Sequence, residues 1–157
     1  MQPNEQLITT FYTAFQNRDP NGMVACYAPN VVFTDPVFLT LRGPQAGAMW
    51  KMLAGRSKDL TLIFNNVHAN DTTGSAHWEA TYTFSSTGRK VVNIIDAAFE
   101  FKNGLIVTHT DSFDLWKWAS QALGPRGQFL GWAPPVQNAI RQTARKGLDA
   151  YMQKQGE

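Results

Sequence analysis

Asp35, His109 and Asp111 are the residues of this chain whose types and spacing could move a proton. Asp35 closes the run Val31-Val32-Phe33-Thr34 and is followed by Pro36. A proline disfavours helical geometry at the residue before it, so Asp35 is expected in an extended backbone just past a short strand, pointing into whatever that strand helps enclose. His109 and Asp111 sit two residues apart in an alternating apolar segment, which puts both on one face of a strand with backbones about 7 Å apart. On that face they join Leu105, Val107 and Phe113, while Ile106, Thr108, Thr110 and Ser112 take the other. A buried charge without a partner is costly, so this pair either satisfies itself inside a core or lines a cavity. In a cavity, a carboxylate and an imidazole with environment-shifted proton affinities serve as general acid and base.

Other chemistries find less support. Asp35, His109 and Asp111 could in principle ligate a metal, but no paired-ligand spacing marks such a site, and none is expected. A phosphate-cradling Gly-rich loop and a nucleophile elbow are both missing, which speaks against nucleotide, nicotinamide and flavin cofactors, so the expected cofactor is none. His77 falls on the polar face of its strand and His68 lies beside an Asn- and Asp-rich loop, making both weaker candidates.

The elements that would position these residues follow from periodicity. Asn4 is a plausible cap for a helix with Leu7, Ile8, Phe11, Tyr12 and Phe15 on one stripe. Asp19-Pro20 starts a short second helix ending near Pro29, Val31 to Thr34 forms a strand, and Gly43-Pro44 opens a third helix through about Leu53. Beyond residue 58 the period changes to two. Strands are expected over Leu60 to His68, Ala76 to Phe84, Lys90 to Phe101 and Leu105 to Leu115, with turns at Ser86-Thr87-Gly88 and Lys102-Asn103-Gly104. Gly124 to Gly131 reads as a linker and Pro134 to Met152 as a last helix. This is an α+β pattern in which an antiparallel sheet wraps the N-terminal helices.

With 157 residues, a net charge of +2 and a lone Cys26, the chain is expected to form a core without disulfides and to have no nucleic-acid partner. No run of about 18 apolar residues and no basic-then-apolar leader occurs, so neither a membrane partner nor export is expected and the compartment is taken as cytoplasmic.

Several stretches together resemble the nuclear transport factor 2-like superfamily, which includes ketosteroid isomerase, limonene epoxide hydrolase and the SnoaL-like polyketide cyclases. They are the helix Leu7 to Phe15, Asp19, Tyr27-Ala28 leading to Asp35-Pro36, Gly43, Asn103-Gly104-Leu105-Ile106, and Asp111-Ser112-Phe113-Asp114-Leu115. The resemblance implies a cone-shaped α+β barrel over residues 1–122, with 123–157 as a linker and an extra C-terminal helix. It also implies a deep apolar pocket and a homodimer formed through the convex sheet face, where Ile94 and Ala98 are candidate contacts. Asp35 matches the general base of ketosteroid isomerase, whose oxyanion donors align with Phe11 and near Ala97. Asp111 matches one catalytic aspartate of limonene epoxide hydrolase, whose remaining machinery falls on Trp78, Ala80, Phe33 and Asp35. Pocket walls are expected from Phe11, Phe15, Phe33, Trp50, Trp78, Tyr82, Asn93, Phe99 and Phe113, and the partner is a hydrophobic small molecule. The expected function is a cofactor-independent acid/base enzyme of isomerase, cyclase or hydrolase type acting on a hydrophobic carbonyl or epoxide compound; the alternative is a non-catalytic ligand- or protein-binding module.

Overall fold

The computed structural model describes residues 1–156 and has an α+β architecture in which a six-stranded curved, unclosed sheet holds helices against its concave face. Helix α1 (Pro3–Gln16) turns Ile8, Phe11, Tyr12 and Phe15 into the core, as its apolar stripe requires. Its cap is Gln2, whose side chain accepts from the N–H groups of Asn4 and Glu5. Asn4, expected as the cap, instead donates to the carbonyls of Asn70 and Asp71, tying the helix start to a distant turn. Helix α2 (Pro20–Val24) is capped by Asp19 and carries proline in its first turn.

Strand β1 (Tyr27–Asp35) starts four residues earlier than its apolar run suggests, because Pro29 falls in an irregular stretch between Tyr27 and Val32 where the ladder is interrupted and no donor is lost. Strand β2 (Leu39–Arg42) was not expected. Only its Leu41 is buried, so as an edge strand it carries almost no alternation to detect. Helix α3 (Pro44–Arg56) follows, and then β3 (Thr61–Ala69), β4 (Thr73–Phe84), β5 (Arg89–Lys102) and β6 (Leu105–Ser112) form an antiparallel meander.

The strand order is β2-β1-β6-β5-β4-β3, and β1 pairs with β6 in parallel. The sheet is therefore mixed, where antiparallel pairing throughout was expected. That single parallel contact sets Phe33 beside His109 across the ladder. On β6 the register with β5 slips between Glu100 and Phe101, leaving Val107 as an extra residue. As a result Ile106 turns inward in place of Leu105 and Val107, while His109 and Asp111 keep the inward parity expected of them.

The last expected strand stops at Ser112, since Asp114 caps helix α4 (Leu115–Leu123) by accepting from the Lys117 N–H. The expected linker is also helical: α5 (Pro125–Leu130) folds back on α4. Gly127 permits this, because a Cβ there would lie 1.9 Å from the Ala119 carbonyl oxygen. The glycines of this stretch serve close packing, not flexibility. Helix α6 (Pro134–Gln155) completes the chain, and none of the described helices is long and apolar enough to cross a membrane.

Candidate functional site

Asp35 ends β1 with the same parity as Val31 and Phe33, so its carboxylate turns to the concave side. The backbone then tightens: Asp35 Oδ1 accepts from the N–H of Val37 at 2.9 Å and of Phe38 at 2.6 Å, forming an Asx turn. Burial pushes the Asp35 carboxyl up to about 6; the Phe38 N–H opposes the rise and the neighbouring Asp111 carboxylate adds to it.

Asp111 belongs to a buried hydrogen-bonded chain. The Trp50 indole N–H donates to Tyr27 Oη at 2.9 Å, Tyr27 Oη meets His109 Nδ1 at 2.7 Å, and His109 Nε2 meets Asp111 Oδ1 at 2.9 Å. The Trp78 indole N–H reaches the same Asp111 oxygen at 3.3 Å. An indole can only donate, so Tyr27 Oη accepts from Trp50 and passes its own proton to His109 Nδ1. His109 then donates through Nε2 to Asp111. Every polar hydrogen in the chain finds an acceptor, which assigns the neutral Nε2–H tautomer to His109. Aromatic rings pack around it: Phe99 at 4.5 Å, Phe33 at 5.1 Å, Phe11 at 5.4 Å and Trp50 stacked at 6.1 Å.

A cavity of about 730 Å³ opens between the concave sheet face, α3, the turn after β1, α4 and α6. Both Asp35 and Asp111 line it, together with Phe15, Trp50, Trp78, Tyr82, Asn93 and Phe113 of the expected walls. Three expected wall residues do not. Phe11, Phe33 and Phe99 are in the core, packed against His109, because the β1–β6 pairing and α1 close over that end of the barrel. His109 is likewise fully buried and set back from the wall, behind Asp111 and Trp50, with both ring nitrogens engaged. Tyr12 Oη is buried in the core without a hydrogen-bond partner among the described residues.

Sequence reading missed Tyr27 because it fell within the expected second helix, and the irregular stretch at Pro29 breaks the alternation that marks Val31 and Phe33 as inward-facing. It also missed the walls supplied by Val37, Phe38 and Trp118, and those of α6, where Val136, Ile140, Ala144 and Gly147 face the cavity. Helix α6 is thus a wall of the cavity. Arg141 fastens it by donating to the Pro36 carbonyl at 2.9 Å, directly beside Asp35. Among the described residues no group of three or more His, Cys, Asp or Glu is placed to hold a metal ion.

The SnoaL-like domain model matches residues 8–109. No curated protein matches the chain. Several solved structures share the fold. A putative SnoaL-like polyketide cyclase from Jannaschia sp. CCS1 has a TM-score of 0.69 at 13% identity, covering 78% of this chain and 93% of the other. An LEH-like epoxide hydrolase from M. tuberculosis has a TM-score of 0.63 at 18% identity, covering 84% and 96%. An NTF2-like protein of unknown function from Burkholderia pseudomallei has a TM-score of 0.62 at 24% identity, covering 73% and 92%. Such identities establish a common fold and leave function to the site.

Proposed function

This chain belongs to the SnoaL-like domain family, and from that premise we propose that it is a cofactor-independent acid/base enzyme acting on a hydrophobic carbonyl or epoxide compound. One observation carries the reading: two carboxyl groups in different environments meet on the wall of one largely apolar cavity. Asp111 has both donors on one oxygen, leaving the other to take a proton from substrate or water. Asp35, with its proton affinity raised to about 6, keeps a proton at mildly acid pH and donates to the oxygen on which negative charge develops. His109 acts on Asp111 as a positioning residue, and Tyr27 on His109. Likenesses to a putative polyketide cyclase and an epoxide hydrolase support this class of reaction.

The test is turnover of a panel of enolisable ketones and epoxides. Asp111→Asn should lose about 100-fold or more, the usual worth of a positioned base. Asp35→Asn keeps a donor at the same place and should retain more activity than Asp111→Asn. Wild-type activity should fall as pH rises through about 6 and Asp35 ionises, whereas the Asp35→Asn profile should lose that fall. Turnover surviving Asp111→Asn unchanged would remove the proposed base. A wild type that binds hydrophobic compounds and converts none would favour the non-catalytic ligand-binding module. Homodimerisation through the exposed sheet face around Ile94 and Ala98 is part of the same proposal, and light scattering at micromolar concentration should give twice the chain mass.

A further inference from the structure

Seven arginines occur in the chain, and four of them are spoken for. Arg18 donates to the carbonyls of Ala54, Lys58 and Leu60, Arg89 to that of Gln121, Arg141 to that of Pro36, and Arg145 pairs with Asp149. Arg56, Arg126 and Arg42 have no side-chain partner among the described residues, and the first two both line the cavity. Arg56 closes α3 with its guanidinium against α6, so that a Cβ on Gly147 would sit 3.4 Å from Nη1. Arg126 lies in the first turn of α5. Both are exposed, whereas the acidic residues of the cavity are not: Asp111 is 4% exposed and Asp35 half-buried. No lysine lines the cavity. The charged groups are thus sorted by depth, with carboxyls inside, guanidiniums at the rim and apolar wall between.

We propose that the cavity takes an amphipathic ligand whose apolar body fills the interior and whose anionic head, a carboxylate or phosphate, is held at the rim by Arg56 and Arg126. This rests on the cavity being the substrate site and adds the substrate class. The buried carboxyls would repel an anion at the inner end, so the charges of the protein admit it in one orientation only. That orientation leaves the opposite, reactive end of the ligand at Asp35 and Asp111. Guanidinium suits the head group because its planar fork meets carboxylate and phosphate oxygens in pairs. A cavity of about 730 Å³ is of the size that holds a medium-length acyl or fused-ring body.

Binding of decanoate, decyl phosphate and decanol, measured by displacement of a fluorescent apolar probe at pH 8, tests this without any turnover. Decanoate or decyl phosphate should bind about fivefold or more tightly than decanol at low salt, and the preference should shrink in 0.5 M salt, a concentration at which rim charges are largely screened. The order of the two anions identifies the head group. In the Arg56→Gln/Arg126→Gln double variant the preference should vanish while decanol binds as before. Equal binding of decanol and both anions, failure of wild type to bind any of the three, or a preference that survives the double variant would overturn the proposal. A failure of the acid/base reading would show instead as turnover indifferent to Asp111→Asn, with the anion preference intact.

Discussion

Two histidines, on strands that flank β5, make opposite use of the same residue types. His109, on the concave face of β6, lies between a phenol and a carboxylate at 2.7 and 2.9 Å and is fully buried. His77, on the outer face of β4, lies between Asp96 and Glu79, both at 2.8 Å, with Asp96 largely exposed. With a carboxylate on each ring nitrogen, His77 needs both N–H groups, so its hydrogen bonds to Asp96 first and then to Glu79 raise its proton affinity. With a phenol proton entering one nitrogen, His109 needs only one. The difference teaches that a His–Asp pair on a strand has no intrinsic role: what meets the second nitrogen, and whether water reaches the pair, decides it.

Substitutions can break this contrast. Removing the carboxylate on each side should have the most unequal effect: Asp111→Asn should cut turnover about 100-fold or more, and Asp96→Asn should leave it within twofold. Comparable losses would show the outer pair to be part of the chemistry. Next in size is Tyr27→Phe, which strands the Trp50 N–H and His109 Nδ1 inside the core and should cost about 2–4 kcal/mol in urea unfolding. His77→Gln should cost less than about 0.5 kcal/mol. Nitrogen-15 spectra at pH 7.5 should report the Nε2–H tautomer for His109 in wild type, and the Nδ1–H form would reverse the donor chain.

Smaller effects sharpen the comparison through pH. Asp35 has a folded-state value raised to about 6, so its contribution to stability is fully present below the ordinary carboxyl range and is lost as pH rises through 6. Asp35→Asn should therefore stabilise the fold by roughly 1–2 kcal/mol at pH 7.5, discounted for partial exposure, and by little at pH 4. Thermal melts of the two proteins at both pH values would reveal it, and equal shifts at both would contradict the burial of the ionised carboxyl. His77 is also raised, so its stabilisation is complete below pH 6.5 and fades as pH climbs past its elevated value. Being partly open to solvent and paired with a largely exposed Asp96, it should give the smallest change, seen only as a flatter alkaline limb in His77→Gln.

Legibility in the sequence divided along the same lines. The inward parity of Asp35, His109 and Asp111 was readable because alternation and Asp-Pro chemistry act over two or three residues. The division of aromatics into wall and core was not. Phe33 and Phe113 carry the same apolar signal, yet one packs against His109 in the core and the other faces the cavity. The Gly-rich stretch after Gly124 reads as a linker because glycine lowers helix propensity, and only its close contact with α4 explains why Gly127 is there.

By itself, then, the sequence determined the first and last helices and the strands of the meander, the inward face of Asp35, His109 and Asp111, and the resemblance to the SnoaL-like family, since all are written in short windows of period, cap and turn. Tertiary structure alone decided that β1 joins β6 in parallel and brings Tyr27 and Phe33 to His109, and that α6 walls the cavity beside Asp35. Those are pairings of segments 75 or more residues apart, and they depend on which buried surfaces fit together, a property no local window contains.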